Sequence, residues 1–419
     1  MRDRCLIAAL AGAGTFAILA VASPARAGVS CASLPGAIVY GAGGSAQQPY
    51  LAQVGTQLAK LSSPISLVYS DSGSACVGYD DLVTPTSITG TALYWDTTGS
   101  TLSCTLDITG DPVTFAVMGN APNLCTGVPA LASGYGQFLG PVQPVDFVVP
   151  VQSSQQSIST EAAYYIWGFG ATAPNAVTPW TVPANIFTRS ASSFVNLFVS
   201  LDTGVPAATV ATHTTVESTN AATVAALAAL NGTSSAENGI GFVSGEVADG
   251  NRASIRALAY QHTGQSCGYW PDSTLTAFDK ANVRDGQYWL WSPIHFYAAI
   301  NSSNAISDAN TAAFIGYATG SLAAPVGFDL FAAEFAAYTV PQCAMQVWRD
   351  GDLAPMYSYS PPASCSCEFD IASSGANKPA SCKICAHDSD CTAQASHCRD
   401  VGPPLGVDSG ANVGYCEVN

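Results

Sequence analysis

A chain of 419 residues with 48% apolar side chains exceeds one ordinary domain and can bury a sizeable core. Its formal charge of −16, from 13 basic and 29 acidic residues, argues against nucleic acid and anionic membrane as partners. Charged residues make up only 10% of it, and Ser, Thr, Gly and Ala are abundant, a composition common in exported bacterial proteins.

The first 27 residues, "MRDRCLIAALAGAGTFAILAVASPARA", place Arg2 and Arg4 before an apolar run from Leu6 to Ala22 and end on the small-x-small triplet Ala25-Arg26-Ala27. This is the layout of a cleaved signal peptide, so residues 1–27 are expected to be removed on export to the periplasm, the cell surface or the exterior. The run is short for a bilayer span, and no later stretch stays apolar for about 18 residues. Lipidation of Cys31 is the alternative, but Gly28-Val29-Ser30 lacks the leucine and small residues that lipoprotein processing wants. The signal carries Arg2, Arg4 and Arg26 against Asp3, or +2, so the remaining chain sits near −18 and keeps ten basic residues. Thirteen of the fourteen cysteines follow the signal, and export makes disulfides their expected state. An odd number leaves one unpaired or intermolecular. Six lie between Cys31 and Cys343 and seven between Cys365 and Cys416, which points to a separate tail.

In chain order, "GAIVY" reads as a strand, "GAGGSA" as the turn after it, and Leu51, Val54, Leu58 and Leu61 as one face of a helix. The turn fits Gly-x-Gly-x-x-Ala, but no acidic residue follows about twenty positions on to hold a ribose. An anion needs less, because free backbone N–H groups and the helix dipole already attract negative charge and the Ser45 hydroxyl can donate. A mere strand-to-helix turn is the alternative. "ISLVYS" repeats the device with Ser74 at a helix start. "VTFAVM" and "VDFVVPV" are further strands. In "NIFTRSASSFVNLFVSL", Arg189 precedes Ser192-Ser193 at the head of a helix whose apolar face is Phe194, Leu197, Phe198 and Leu201, stopped by Gly204 and Pro206. A guanidinium binds oxyanions through paired hydrogen bonds. "NAATVAALAALNG" is a helix ending on Asn231-Gly232, "IGFVSG" a strand, and "FDLFAAEFAAYTVP" a last helix ended by Pro341. Such alternation predicts an α/β architecture with a mainly parallel sheet. From Pro361 onward, dense cysteine and few large apolar residues predict a tail held by crosslinks rather than a core.

Catalytic signals are poor. Gly264-Gln265-Ser266-Cys267-Gly268 fits a nucleophile elbow, but Pro271 opposes the helix such an elbow needs, and a loop fixed by a Cys267 disulfide is the expectation. His213, His262, His295, His387 and His397 show no metal spacing, and Cys382-x-x-Cys385 is read as disulfide-bonded rather than as half a zinc knuckle. The aromatic run "WLWSPIHFY" reads as packing rather than a sugar platform. No enzyme activity, cofactor or metal is expected.

The order of "GAGGSAQQPY", "YSDSGSACVG", "RSASSF", "GIGFVSGEVA" and "VRDGQYWLWSPIHFYA" resembles the phosphate-binding protein of bacterial phosphate ABC transporters, and most of all its long, cysteine-bearing exported paralogues of myxobacterial type. The resemblance covers roughly residues 35–345. It implies an α/β, two-lobed type 2 periplasmic-binding-protein fold, with strands crossing between lobes that hinge around a ligand. Residues 28–130 with 286–345 would form lobe one, 131–285 lobe two, and 346–419 the disulfide-rich tail. Ser45 and Ser74 match the family's first two hydroxyl donors, Arg189 its guanidinium, and Ser193 the serine four residues on. Inorganic phosphate or a similar oxyanion would be the ligand, an ABC permease the partner, and the protein a monomer. Two departures matter. Ser193-Phe194-Val195 replaces Ser-Gly-Thr, and Gly119-Asn120 stands where the family has Ser-Asp. An amide can accept the proton of hydrogen phosphate but scarcely repels sulfate. Asp96 in "LYWDTT" is the other candidate acceptor. The rival reading is a degenerate binding fold that serves as an extracellular interaction module without an anion.

Overall fold

The computed structural model describes residues 29–71, 73–170, 174–374, 382–391, 396–400 and 414–418; the expected signal peptide, 1–27, lies outside them. Its spine is one continuous sheet of ten strands. The order is Val29–Ser30, Thr101–Thr105, Thr91–Trp95, Ile65–Ser70, Ala37–Gly43, Phe115–Met118, Trp291–Ala299, Tyr135–Pro150 and Gly241–Ser244, with Ile255–Ala257 also on Tyr135–Pro150.

The 135–150 strand makes the sheet a two-lobed object. Its first half, 135–144, pairs with Trp291–Ala299, while its second half, 145–150, pairs with Gly241–Ser244 and Ile255–Ala257. One strand therefore belongs to both lobes, and Trp291–Ala299 runs antiparallel beside it at the crossing. Trp291–Ala299 is buried along all but its last residue, and the 135–150 strand is buried from Gly140 onward, as a strand covered on two faces must be.

The sheet is mixed rather than mainly parallel. Ala37–Gly43 pairs in parallel with Ile65–Ser70 and Phe115–Met118, but every pairing made by the two crossing strands is antiparallel. The return of the chain from lobe two into lobe one through Trp291–Ala299 imposes that direction.

Helices cover the sheet where the periodicity predicts them. Gln48–Ala59 buries Leu51, Val54 and Leu58, and Phe194–Thr203 buries Phe194, Leu197 and Phe198 and ends on Gly204. The helix Leu330–Ala336 stops short of Pro341: the chain turns at Tyr338, whose φ is +59°. Gly78 lets the helix Ala75–Val83 lie directly on Ala37–Gly43; a Cβ there would stand 2.3 Å from the Gly43 nitrogen.

Six disulfides join Cys31–Cys104, Cys76–Cys125, Cys343–Cys365, Cys367–Cys382, Cys385–Cys398 and Cys391–Cys416. Cys267 is the odd one, free and exposed, so the expected disulfide in its loop is not formed. Nor does the tail stand wholly apart. Cys343–Cys365 spans the body–tail join, Phe369 packs on Phe331 and Phe335 in the main core, and Arg284 pairs with Asp370. Beyond this anchor, three short strands form a sheet around three of the disulfides, each closing a loop worth about 3 kcal/mol against the unfolded chain.

Candidate functional site

Four of the five candidate residues lie close together, joined by contacts between elements far apart in the chain. Ser45 opens a single 3-10 turn, Ser45–Gln47, between the strand Ala37–Gly43 and the helix Gln48–Ala59. Ser74 is the N-cap of Ala75–Val83 and accepts from the Val77 N–H at 3.4 Å. Arg189 ends the strand Phe187–Arg189, and Ser193 is the N-cap of Phe194–Thr203.

Contacts cross directly between these groups. Ser74 Oγ donates to Ser192 Oγ at 2.8 Å, and Arg189 Nη1 reaches Ser45 Oγ at 3.5 Å, as does the backbone N–H of Asn220. A cavity of ≈ 330 Å³ opens alongside, lined by Ser45, Gln48 and Trp95 from one lobe and Thr219, Asn220 and Asn251 from the other.

Arg189 is the electrostatic centre. It is 5% exposed, and its bonds go to the carbonyls of Glu217 and Ser218, to Asn220 Oδ1 and to Ser45 Oγ. All of these acceptors are neutral, and no carboxylate forms an ion pair with it among the described residues. Burial therefore dominates, pulling the guanidinium down to about 10 against the weaker opposing pull of Glu217 and Asp71. Asn220 passes the contact inward, its Nδ2 donating to Ser244 Oγ at 3.1 Å. Beside Ser244, burial pushes the Glu246 carboxyl up to about 8.

Asn120, the fifth candidate, is fully buried. Its Nδ2 donates to the Ala121 carbonyl at 2.9 Å, and its Oδ1 has no hydrogen-bond partner. Its neighbour Gly119 lies against Gln143 and the Phe194 ring: a Cβ on Gly119 would stand 2.2 Å from Gln143 Nε2 and 2.5 Å from Phe194 Cδ1. The Phe194 ring thus borders the same junction as Asn120. The Cys76–Cys125 disulfide ties this loop to the helix that Ser74 caps.

Unsatisfied buried polar atoms gather here. Ser193 Oγ, Asn120 Oδ1, Thr188 Oγ1 and both amide atoms of Gln143 and Gln47 lack hydrogen-bond partners. Buried polar atoms rarely remain so without a ligand or water to meet them. Gln143 and Asn220 are absent from the sequence-based candidates. A glutamine within the apolar run "GPVQPVDFVVP" was the available signal for the first; Asn220 had only its place after Thr219, which proves to be a helix N-cap.

Asp96 does not supply a missing carboxylate. It is spent on its own exposed turn, accepting from the Thr98 hydroxyl at 2.6 Å and from the Thr98 and Ser100 N–H groups, and those bonds hold it below its ordinary range. Ser266 follows the strand Ala259–Gln261, but the next helix is Ala281–Arg284, so no elbow forms. Cys382 and Cys385 are both disulfide-bonded. No helix among the described residues is long and apolar enough to cross a membrane.

No protein-family model matches the chain, and no curated protein matches it significantly. Solved structures do match. A putative phosphate ABC transporter substrate-binding protein with bound phosphate from Clostridium perfringens is 11% identical, with a TM-score of 0.48 over 73% of this chain and 99% of its own. An ABC-type phosphate transport receptor from Vibrio cholerae is 13% identical, with a TM-score of 0.42 over 72% and 99%. The reduced regulatory domain of OxyR from Pseudomonas aeruginosa is 9% identical, with a TM-score of 0.36 over 67% and 98%.

Proposed function

We propose that this chain is an exported solute-binding protein that holds an oxyanion, phosphate or a phosphate-like anion, between its lobes. One observation carries the reading: Arg189 is a buried guanidinium whose partners are all neutral, the Ser45 hydroxyl among them. A buried charge is costly unless it is paired, and an anion in the cleft would pair it. Ser74 and Ser193 cap helices whose free N–H groups and dipoles favour the same sign of ligand.

The proposed division is residues 28–130 with 286–345 as lobe one and 131–285 as lobe two, with closure driven by the better fit of the ligand to the closed form. No catalytic step is needed. The natural setting would be the periplasm or cell exterior, with the protein a monomer that delivers to an ABC permease or senses. Asn120 and Gln143 put amides where a carboxylate would select hydrogen phosphate, so binding is expected to be weak and to discriminate little against sulfate.

A second reading has its own support. The Phe194 ring against Gly119 and Gln143, and the direct Ser74–Ser192 bond, fit a scaffold that has given up its anion and serves as an extracellular interaction module. Calorimetric titration of the protein, freed of co-purified ligand by unfolding and refolding with its disulfides intact, separates the two. Micromolar or tighter uptake of phosphate or sulfate supports the first; no heat from folded protein with either anion supports the second. A tight, strongly phosphate-selective titration would contradict the role given to the two amides.

A further inference from the structure

Beyond the last body helix, a short hairpin pairs Val347–Trp348 with Tyr357–Ser358 and turns through Leu353, whose φ is +52°. It lies across the hinge. The Arg349 guanidinium faces the rings of Trp289 and Trp291, 4.9 and 4.0 Å from their centroids, and its Nη2 donates to the Trp289 carbonyl at 3.1 Å. Trp348 packs against Trp291, and the Gln346 N–H donates to the Arg284 carbonyl at 2.9 Å. These contacts fix the hairpin on the segment through which the chain re-enters lobe one.

Asp352, in the turn of this hairpin, reaches further. Its side chain is 5% exposed; Oδ2 accepts from the Ala121 N–H at 2.6 Å and Oδ1 accepts from Ser292 Oγ at 3.1 Å. His295 Nε2 stands 3.8 Å from the same carboxylate and 3.2 Å from Ser292 Oγ, while His295 Nδ1 meets Gln137 Nε2 at 2.7 Å. One carboxylate from the C-terminal extension thus joins a crossing strand to the residue after Asn120. The Ala121 peptide is gripped on both sides: its N–H by Asp352 and its carbonyl by the Asn120 amide. Buried charge-assisted bonds of this length are among the stronger ones in a protein.

We infer that Asp352 is a positioning residue for the interlobe site: the C-terminal hairpin holds the Asn120 loop in place against the hinge. The inference rests on the reading that Asn120 borders the anion. It also gives the extension a task in the body, since the loop is otherwise tied at its far end by Cys76–Cys125.

Hydrogen exchange at the Ala121 amide, resolved by peptide fragmentation in the full disulfide-bonded chain, tests this apart from any ligand. In the wild type this amide should be among the slow ones. Asp352→Ala should accelerate its exchange about tenfold to a hundredfold and weaken phosphate binding about tenfold or more, with exchange in the disulfide-bonded tail strands unchanged. Asp352→Asn retains an acceptor and should show roughly half that acceleration on a logarithmic scale. An Ala121 amide that exchanges at a free-loop rate in the wild type, or that Asp352→Ala leaves unchanged, overturns the inference. If Asp352→Ala fails to fold, the wild type and Asp352→Asn still decide it. A wild type that binds neither phosphate nor sulfate removes the functional reading alone, because the exchange data stand without a ligand.

Discussion

Two buried cation sites are built in opposite ways. Lys280 lies between Asp249 and Asp272, with Nζ 2.9 Å from Asp272 Oδ1, and Arg252 bonds the same two carboxylates, Nε to Asp249 at 2.8 Å and Nη2 to Asp272 at 2.6 Å. Burial alone would lower the Lys280 ammonium, but the two aspartates outweigh it and hold the group above its ordinary value. Arg189 has the burial without the carboxylates, and its guanidinium is correspondingly lowered. Two cations against two anions make a closed structural network. A cation among hydroxyls and carbonyls is stable enough to fold but leaves its charge for something else to meet.

The largest effect should come from opening the closed network. Asp272→Ala leaves two buried cations to share Asp249, and should cost about 3–5 kcal/mol of stability in denaturant unfolding. Arg189→Met should show the inverse profile. Anion binding should fall by about 2–5 kcal/mol, read by calorimetry, while stability drops by only about 1–3 kcal/mol, since only neutral acceptors are left unpaired. Equal stability losses in the two variants would mean that Arg189 is as structural as Lys280, and the contrast would fail.

Glu246 is buried beside Ser244, and the charges of Asp146 and Asp249 add to burial in opposing its ionisation. Burial pushes both Glu246 and Asp146 up to about 8, while an unfolded glutamate titrates near 4.5. Between those values the folded state holds protons that the unfolded state has released, so stability falls as pH rises and levels off above about 8. His295, lowered chiefly by burial, has the opposite slope below its ordinary value of 6.5. Unfolding midpoints should therefore decline from pH 6.5 to 8, and Glu246→Gln should flatten the decline. A flat wild-type profile would mean that Glu246 is already ionised in the folded protein across this range.

What the sequence reveals of this arrangement is its local part. The strand Ile65–Ser70 and the helix Phe194–Thr203 are legible because each carries its own period and its own stop, and the caps Ser74 and Ser193 follow from where those helices must begin. The antiparallel crossing at the hinge depends on partners more than 150 positions apart, such as Gln137 and Tyr297, which no local pattern encodes. The helix before Pro341 ends early because Tyr338 takes a left-handed conformation, usually reserved for glycine, that its residue type does not announce. The pattern of three serine-headed helix starts, one with Arg189, points to one oxyanion cleft, and the resemblance adds the role of each residue in it. Gln143, Asn220 and Asp352 had no such support, and their places follow from long-range packing.

The smallest effect sets the scale on which Arg189 must be judged. Cys267 is exposed in a loop that opens with a left-handed Gly264, and it forms no disulfide. Cys267→Ser should therefore change stability by less than about 0.5 kcal/mol, and any dimer that reducing agent dissolves should vanish with it. By contrast, an Arg189→Met cost lying well above this baseline yet below that of Asp272→Ala is the signature of a buried cation held by neutral groups. A loss of several kcal/mol from Cys267→Ser would instead mean that Cys267 has a covalent partner in the folded protein, so that one of the six pairings is wrong.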